Sequence, residues 1–228
     1  MNHFIPVPET TLPSGLIVPA FHVGKYACTQ GEDGKATVTE DQAPWVNINY
    51  ADSKAACEAA GFKLITESQW LAIAWNVSQQ DCNWTKGKVG KGKLFQGLRK
   101  GTVTQAQPGN IALDSKKERR LLTLSNGEQI CDLNGNIWQR VFDDIQGDEA
   151  GLATVIKSDS PSLTTPPFPP CKKGMGWRPD GERNWSGRAL VRGGSWFSER
   201  DAGAFGLDGD WPGGEWDGVG FRCTNPGL

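Results

Sequence analysis

The chain has 228 residues, and 24 Lys and Arg against 26 Asp and Glu give it a formal net charge of −2. This balance argues against the basic surface that nucleic-acid binding requires. The sequence also contains no run of about 18 apolar residues, the length that a membrane-spanning helix needs. The 29 glycines and 10 tryptophans favour a loop-rich α+β fold, in a chain long enough for one large domain.

The N-terminal part, residues 1–40, predicts short strands and turns. Its apolar runs, such as residues 15–19 and 21–26, are broken by Gly and Pro. The first residues lack a basic stretch followed by an apolar run, so we expect no signal peptide. Without export, the six scattered cysteines favour buried thiols over a disulfide framework.

Two short helices follow. An Ala-rich stretch predicts a first helix over residues 50–60, with Gly61 ending it. A capping box, with Thr66 as N-cap and Gln69 reaching back to it, then predicts the start of a second helix. Apolar residues recur at helical spacing after this box and predict a buried stripe of Trp70, Ile73, Ala74 and Val77.

Two long insertions are predicted within a single domain that spans residues 1–228. Residues 83–120 are polar, basic and Gly-rich, and residues 144–187 contain a cluster of prolines. The sequence of residues 87–94 nearly matches the motif of a phosphate-binding loop, but Leu94 stands where that motif needs Ser or Thr. We therefore expect an exposed loop. Between the insertions, Asp132-Leu-Asn-Gly-Asn-Ile-Trp138 predicts a turn that leads into a strand.

The C-terminal part contrasts two ordered ends with an irregular middle. Residues 190–196 and 219–223 predict core strands, whereas residues 197–218 have neither helical nor strand periodicity. The middle carries six acids against one base, a formal charge of −5, together with Phe197, Trp211 and Trp216. Aromatic side chains among small and polar residues are typical of binding loops, and the negative charge favours basic ligands. We therefore predict a displayed surface.

Six motifs occur in a familiar order: Pro44-Trp45-Val-Asn47, Ala60-Gly-Phe62, Lys63-Leu-Ile-Thr-Glu-Ser-Gln-Trp70, Asp132-Leu-Asn-Gly-Asn-Ile-Trp138, Arg192-Gly-Gly-Ser-Trp196 and Gly220-Phe-Arg-Cys223. In this order the chain resembles the formylglycine-generating-enzyme branch of the C-type lectin fold. Within that branch it is similar to the variable proteins of diversity-generating retroelements, which include phage tropism determinants. The resemblance implies that residues 188–223 form a variable region.

The resemblance also implies a function. Such a protein binds a ligand through a hypervariable surface without catalysis, as part of phage or viral attachment. Its partner would be a protein or glycan on the surface of a target cell, which several copies or a homo-oligomer of the chain would bind. Its location would be the virion, or otherwise the cytoplasm. The ligand-binding positions implied by the layout are Phe197, Ser198, Asp201, Asp208, Asp210, Trp211, Gly214, Trp216 and Gly218.

Four residues depart from the family's template. Randomising the adenines of an AAC or AAT codon yields neither Trp nor Glu. Other template codons, or fixed positions, are therefore needed for Glu199, Trp211, Glu215 and Trp216.

Two alternatives stay open: an oxidase of the formylglycine-generating type with altered chemistry, and a purely structural tail or spike protein. Against the oxidase, the residues after Trp196 include no cysteine before Cys223, which we expect to be a small buried core residue. His3 and His22 are too few for an iron site. We expect no catalytic residue, metal or cofactor, although family members with structural calcium leave a role open for the Asp132–Asn136 turn or for Asp208 and Asp210.

Overall fold

The computed structural model describes residues 2–111 and 118–228, so that Met1 and residues 112–117 of the predicted 83–120 insertion lie outside the described part. The helices of the described part are α1 (Tyr50–Ala59), α2 (Glu67–Ser78) and α3 (Pro161–Thr164), with two 3₁₀ turns at Asp81–Asn83 and Glu199–Asp201. Its strands are β1 (Phe4–Val7), β2 (Thr10–Thr11), β3 (Ile17–Val18), β4 (Phe21–Gly24), β5 (Thr29–Gln30), β6 (Ala36–Thr37), β7 (Lys63–Leu64), β8 (Leu121–Thr123), β9 (Gln129–Cys131), β10 (Trp138–Val141), β11 (Val155–Ile156), β12 (Arg183–Asn184), β13 (Ala189–Arg192), β14 (Leu207–Asp210), β15 (Val219–Phe221) and β16 (Cys223–Thr224).

Two four-stranded sheets organise these elements. One has the order β1-β4-β16-β7, and the other has the order β14-β13-β10-β15. In the second sheet β13 pairs antiparallel with both β10 and β14, whereas β15 runs parallel to β10. Short strands, few helices and long connections confirm the predicted loop-rich α+β architecture.

The two predicted helices form as their sequence signals indicate. The Thr66 hydroxyl accepts a hydrogen bond from the Gln69 backbone amide, and the Gln69 side-chain oxygen accepts one from the Thr66 backbone amide. The predicted stripe of α2 is fully buried. Helix α1 ends at Ala59, and Gly61 takes a positive φ of 77°, a conformation that glycine adopts at little cost after a helix. The third helix, α3, was not predicted.

The hydrophobic core draws on the insertions as well as on the regular elements. The larger cluster of buried residues includes Trp84 and Leu94 from residues 83–120, and Ile156 and Met175 from residues 144–187. Both predicted insertions therefore contribute to the core. Each is mostly irregular backbone, but each contributes side chains that water does not reach.

Buried arginines link motifs that are distant in sequence. Arg192 of β13 forms a two-pronged ion pair with Glu67 at the start of α2, and neither side chain reaches solvent. Arg222 donates to the side chain of Gln139 and to the carbonyls of Gly24 and Cys131. Because buried guanidinium groups need several acceptors, these contacts fix the relative positions of the helix and both sheets.

All six cysteines are free, in line with the predicted preference for thiols. Four of them are buried: Cys28, Cys57, Cys131 and Cys223. Cys171 is half-buried and Cys82 is exposed, so burial does not extend to every thiol. Within the described residues, no helix combines the length and apolar character needed to cross a membrane.

Asp143, just after β10, is a buried carboxyl group that should make stability depend on pH. Its Oδ1 accepts hydrogen bonds from the backbone of Ile145 and Gln146, whereas Oδ2 has no partner among residues 2–111 and 118–228. Burial, reinforced by the charge of Glu67, raises the pKa of Asp143 from 3.8 to about 6. The folded protein therefore holds this proton more tightly than the unfolded chain does.

We expect the contribution of Asp143 to stability to be complete near pH 4 and to be lost as the pH rises through about 6. Between about pH 4 and pH 8 this loss should amount to about 1–3 kcal/mol of unfolding free energy. Asp143→Asn should remove it, which urea unfolding at both pH values would measure against the exposed control Asp159→Asn. Equal pH dependence in the wild type and Asp143→Asn would contradict the assignment.

Candidate ligand-binding face

The sheet of β14, β13, β10 and β15 carries the segment with the predicted binding residues. The predicted strand over residues 190–196 is shorter in the structure, because β13 ends at Arg192 and two glycines with positive φ, Gly193 and Gly194, follow it. The predicted strand over residues 219–223 is divided at Arg222 into β15 and β16, which belong to different sheets. The turn at Asp132–Asn136 leads into β10, as predicted.

The segment between these strands is not displayed throughout, which corrects the prediction for its middle. Residues 202–207 are buried, and the Trp70 indole donates a hydrogen bond to the carbonyl of Ala204. A Cβ atom on Gly203 would lie only 2.2 Å from the backbone nitrogen of Gly176, so two backbones touch there. Strand β14 then extends the sheet beyond β13. Exposure is confined to the two flanks, residues 197–201 and 208–217.

The flanks present three large aromatic side chains to solvent. Phe197 is 50% exposed, Trp211 62% and Trp216 51%. We use the term display face for these three aromatics together with the exposed acids Glu215 and Asp217. A face with this much exposed aromatic area is unusual for a monomer surface and typical of interaction sites.

Contacts between neighbours bring most of the predicted residues together. The Trp216 indole donates to the Asp210 carboxylate at 3.2 Å, and a Cβ on Gly214 would lie 2.7 Å from the same indole nitrogen. A Cβ on Gly218, which is buried, would lie 3.1 Å from the Phe197 ring. A side chain at either glycine would therefore reposition the adjacent aromatic ring.

The other predicted residues have less open positions. Ser198 is half-buried and its hydroxyl lies 2.9 Å from that of Ser195. The Asp201 carboxylate contacts the Cys171 thiol at 3.3 Å, and so lies against the second insertion. Asp208 is half-buried, and burial raises its pKa. Within the described residues, none of these three side chains forms a hydrogen bond with the three aromatics of the display face.

Arg140 of β10 is a residue of the site that sequence reasoning missed. Its side chain is fully buried, and one guanidinium nitrogen, Nη2, donates to the Gly214 carbonyl at 2.5 Å. The other, Nη1, lies 3.1 Å from Asp210 Oδ2, an ion pair whose angle falls outside hydrogen-bond geometry. The sequence signal that could have indicated its role is an arginine within the predicted strand that follows the Asp132–Asn136 turn.

Charge on the face is predominantly negative but partly neutralised. Arg140 offsets Asp210, and the Arg188 guanidinium stacks over the Trp211 ring at 3.5 Å from its centroid. Glu215 has a 3.4 Å contact with the Asn49 amide, and Asp217 is exposed. The remaining acids leave a field that attracts basic groups.

Cys223 and Asp132, which the sequence analysis considered for thiol chemistry and for calcium, are both buried in the structure. Burial raises the pKa of the Cys223 thiol well above its ordinary value, which disfavours the thiolate nucleophile that such chemistry requires. The Asp132 carboxylate accepts hydrogen bonds from Arg120 and Asn136, which leaves it engaged by protein donors. Across residues 2–111 and 118–228, no cluster of three or more His, Cys, Asp or Glu is arranged to hold a metal ion.

Comparisons with known proteins agree with the fold described above. Treponema denticola variable protein 1 superposes with a TM-score of 0.51 at 16% identity, over 97% of this chain and 93% of that one. CarF gives a TM-score of 0.51 at 12% identity, over 99% of this chain and 98% of that one. The Major Tropism Determinant U1 variant gives 0.45 at 12% identity, over 95% of this chain and 51% of that one.

At these identities the likeness to the first two structures shows a shared fold. No curated protein matches the chain in sequence. A family model, described as the sulfatase-modifying factor enzyme 1-like domain, matches residues 18–226. Because this match covers most of the chain, the protein belongs to the sulfatase-modifying factor enzyme 1-like domain family.

Proposed function

We propose that the chain is a ligand-binding protein without catalytic activity, whose display face contacts a protein or glycan on the surface of a target cell. In this proposal a retroelement diversifies the codons of the variable region, and the protein is exposed on a virion in several copies. Multiple copies would strengthen attachment through effective concentration even if one face binds weakly.

One observation carries the proposal: the segment of residues 196–218 is attached to the rest of the molecule through its own backbone. Residues outside the segment donate to its carbonyls or accept from its amide groups, at distances of 2.5–3.0 Å. The contacts are Asn47 to Trp216, Tyr50 to Pro212, Trp138 to Gly218, Gly101 to Trp196, Arg140 to Gly214, and Glu199 to Arg99.

Backbone anchoring separates side-chain identity from loop conformation. Every residue except proline offers the same amide and carbonyl groups, so side chains on the face can change while these anchors persist. The large aromatics then supply contact area at a low entropic cost, as they do in antibody binding loops. A fold shared with a protein named for its variability supports the same interpretation.

The experiment is removal of the exposed aromatics. The triple variant Phe197→Ser, Trp211→Ser, Trp216→Ser should lose binding to intact cells by about tenfold or more. Its thermal midpoint should stay within about 2–4 °C of the wild type, because the three rings are half or more exposed. Flow cytometry with labelled protein on a panel of microbial cells, and thermal unfolding, would measure both.

A matched control removes exposed apolar area elsewhere. Ile17→Ser, in the β2–β3 hairpin, should leave cell binding unchanged. Absence of binding to any cell, or equal binding by the wild type and the triple variant, would count against attachment through this face. Sequencing of the flanking DNA tests diversification separately: it should contain a reverse transcriptase gene and a near-copy of codons 190–223 that differs only at adenines.

A further inference from the structure

A groove of about 530 Å³ lies directly beside the display face. Tyr50, Ala51 and Ala55 of α1 line it, as do Leu152 and Pro212 from two loops. Pro212 follows the exposed Trp211 in the chain, so the groove and the display face share one segment. The Tyr50 hydroxyl donates to the carbonyls of Ala150 and Gly151 at 3.3 Å, which ties α1 to the second loop.

The groove stays open because two of the α1 residues that line it, Ala51 and Ala55, have only a methyl group as side chain. Ala51 and Ala55 are both exposed and lie one helical turn apart on the same face. Larger side chains at these two positions would occupy the space. An exposed apolar concavity of this kind favours burial of an apolar ligand side chain, at about 25 cal/mol for each Å² removed from water.

The rim of the groove is acidic. Glu58 lines it, and Glu149 is exposed next to the lining residue Ala150. At the other end the Asn49 amide donates to both Asp52, at 2.7 Å, and Glu215, at 3.4 Å, which places two carboxylates side by side.

One basic residue, Lys54, lines the groove and offsets Glu58, so the excess negative charge of the rim comes from Asp52, Glu149 and Glu215. The Lys54 ammonium lies 4.0 Å from Glu58 and 5.4 Å from the centre of the Phe142 ring. An apolar lining inside an acidic rim is complementary to a segment in which apolar and basic side chains alternate, since an extended strand points successive side chains to opposite sides.

We infer that this groove holds an extended segment of a protein ligand, with apolar side chains inside and Lys or Arg at the rim. The inference rests on the proposed function and narrows it to protein rather than glycan at this subsite. The residues that line it from α1 and from positions 150–152 lie outside the variable region. The groove is therefore a constant contact that persists when the display face changes.

The test uses a fluorescein-labelled peptide of about nine residues that alternates Leu and Arg, long enough to cross the groove at about 3.3 Å per residue. Anisotropy titrations compare it with a Leu/Glu peptide and a Ser/Arg peptide of equal length. The Leu/Arg peptide should bind the full chain most tightly, and its affinity should fall with rising salt, since rim charges are screened.

The variant that decides is Ala55→Trp, which fills the groove, with Ala59→Trp as its matched control. Ala59 is exposed on the same helix but does not line the groove. Ala55→Trp should weaken binding of the Leu/Arg peptide by about tenfold or more, whereas Ala59→Trp should not change it.

Three results would overturn the inference: no peptide binds the wild type, the Leu/Glu peptide binds as tightly as the Leu/Arg peptide, or both Trp variants bind alike. The triple aromatic variant, tested on cells in parallel, separates the two proposals. Loss of cell binding in that variant, with unchanged peptide binding in Ala55→Trp, would retain the display face and reject the groove.

Discussion

Glu67→Ala should reduce the unfolding free energy by about 3–5 kcal/mol, a large part of the stability of a typical domain. Glu67 and Arg192 are both fully buried, and two guanidinium nitrogens of Arg192 donate to the two oxygens of Glu67. The third nitrogen donates to the Phe205 carbonyl at 3.2 Å. Removal of the carboxylate would leave a buried positive charge with a single neutral acceptor.

Urea unfolding would measure this loss against Glu58→Ala, an exposed helical glutamate whose ion pair with Lys54 spans 4.0 Å. That control should change stability by less than about 0.5 kcal/mol. The double variant Glu67→Met, Arg192→Met should recover much of the loss, because apolar side chains of similar size replace both charges. If Glu67→Ala costs no more than the control, the pair does not hold α2 to the sheet.

Loss of the Glu67 charge should also lower the pKa of Asp143, because that pKa is raised in part by the charge of Glu67. In Glu67→Gln the pH at which Asp143 titrates should fall below about 6, which NMR titration of its carboxyl group would detect. An unchanged titration would mean that burial alone raises this pKa.

Sequence reasoning succeeded where the physical signal is local. The capping box, the buried stripe of α2 and the glycine after α1 each depend on residues within one or two turns, and each is present in the structure. The order of six short motifs likewise predicted the fold family, which the match over residues 18–226 confirms.

It failed where a residue's role depends on a distant partner. Residues 202–207 are buried although they lack periodicity: Phe205 and Leu207 enter the main core, and the backbone of Gly203 touches that of Gly176, which lies in an insertion. The buried arginines were missed for a related reason: arginine is usually exposed, and its acceptors come from other motifs. Arg140 belongs to the site through Asp210 and through the Gly214 carbonyl, which lie 70 and 74 positions along the chain.

Arg140 also constrains Asp210, which the sequence analysis places among the variable ligand-binding positions. Its side chain is only 16% exposed and faces the buried Arg140 at 3.1 Å. We therefore expect Asp210→Ala to destabilise the fold, unlike substitution of the exposed Trp211 or Trp216.

Asp210→Ala should lower the free energy of unfolding by about 2–4 kcal/mol, which corresponds to a thermal midpoint about 5–15 °C lower. Asp217→Ala is the matched control, because it removes the same charge from an exposed position in the same segment. Its midpoint should stay within about 2 °C of the wild type. Thermal unfolding of both variants at one pH makes the comparison direct.

The size of the replacement at position 210 gives a sharper form of this prediction. Asn keeps an oxygen that can accept from Arg140, so Asp210→Asn should retain more stability than Asp210→Ser, and Asp210→Phe should retain least. Diversification from an Asn codon would then be filtered by folding at this position, whereas at Gly214 a side chain would chiefly displace the exposed Trp216 ring. Equal stability of Asp210→Phe and the wild type would instead make Asp210 an unconstrained display position, and would leave the Gly214 carbonyl as the acceptor that keeps Arg140 in place.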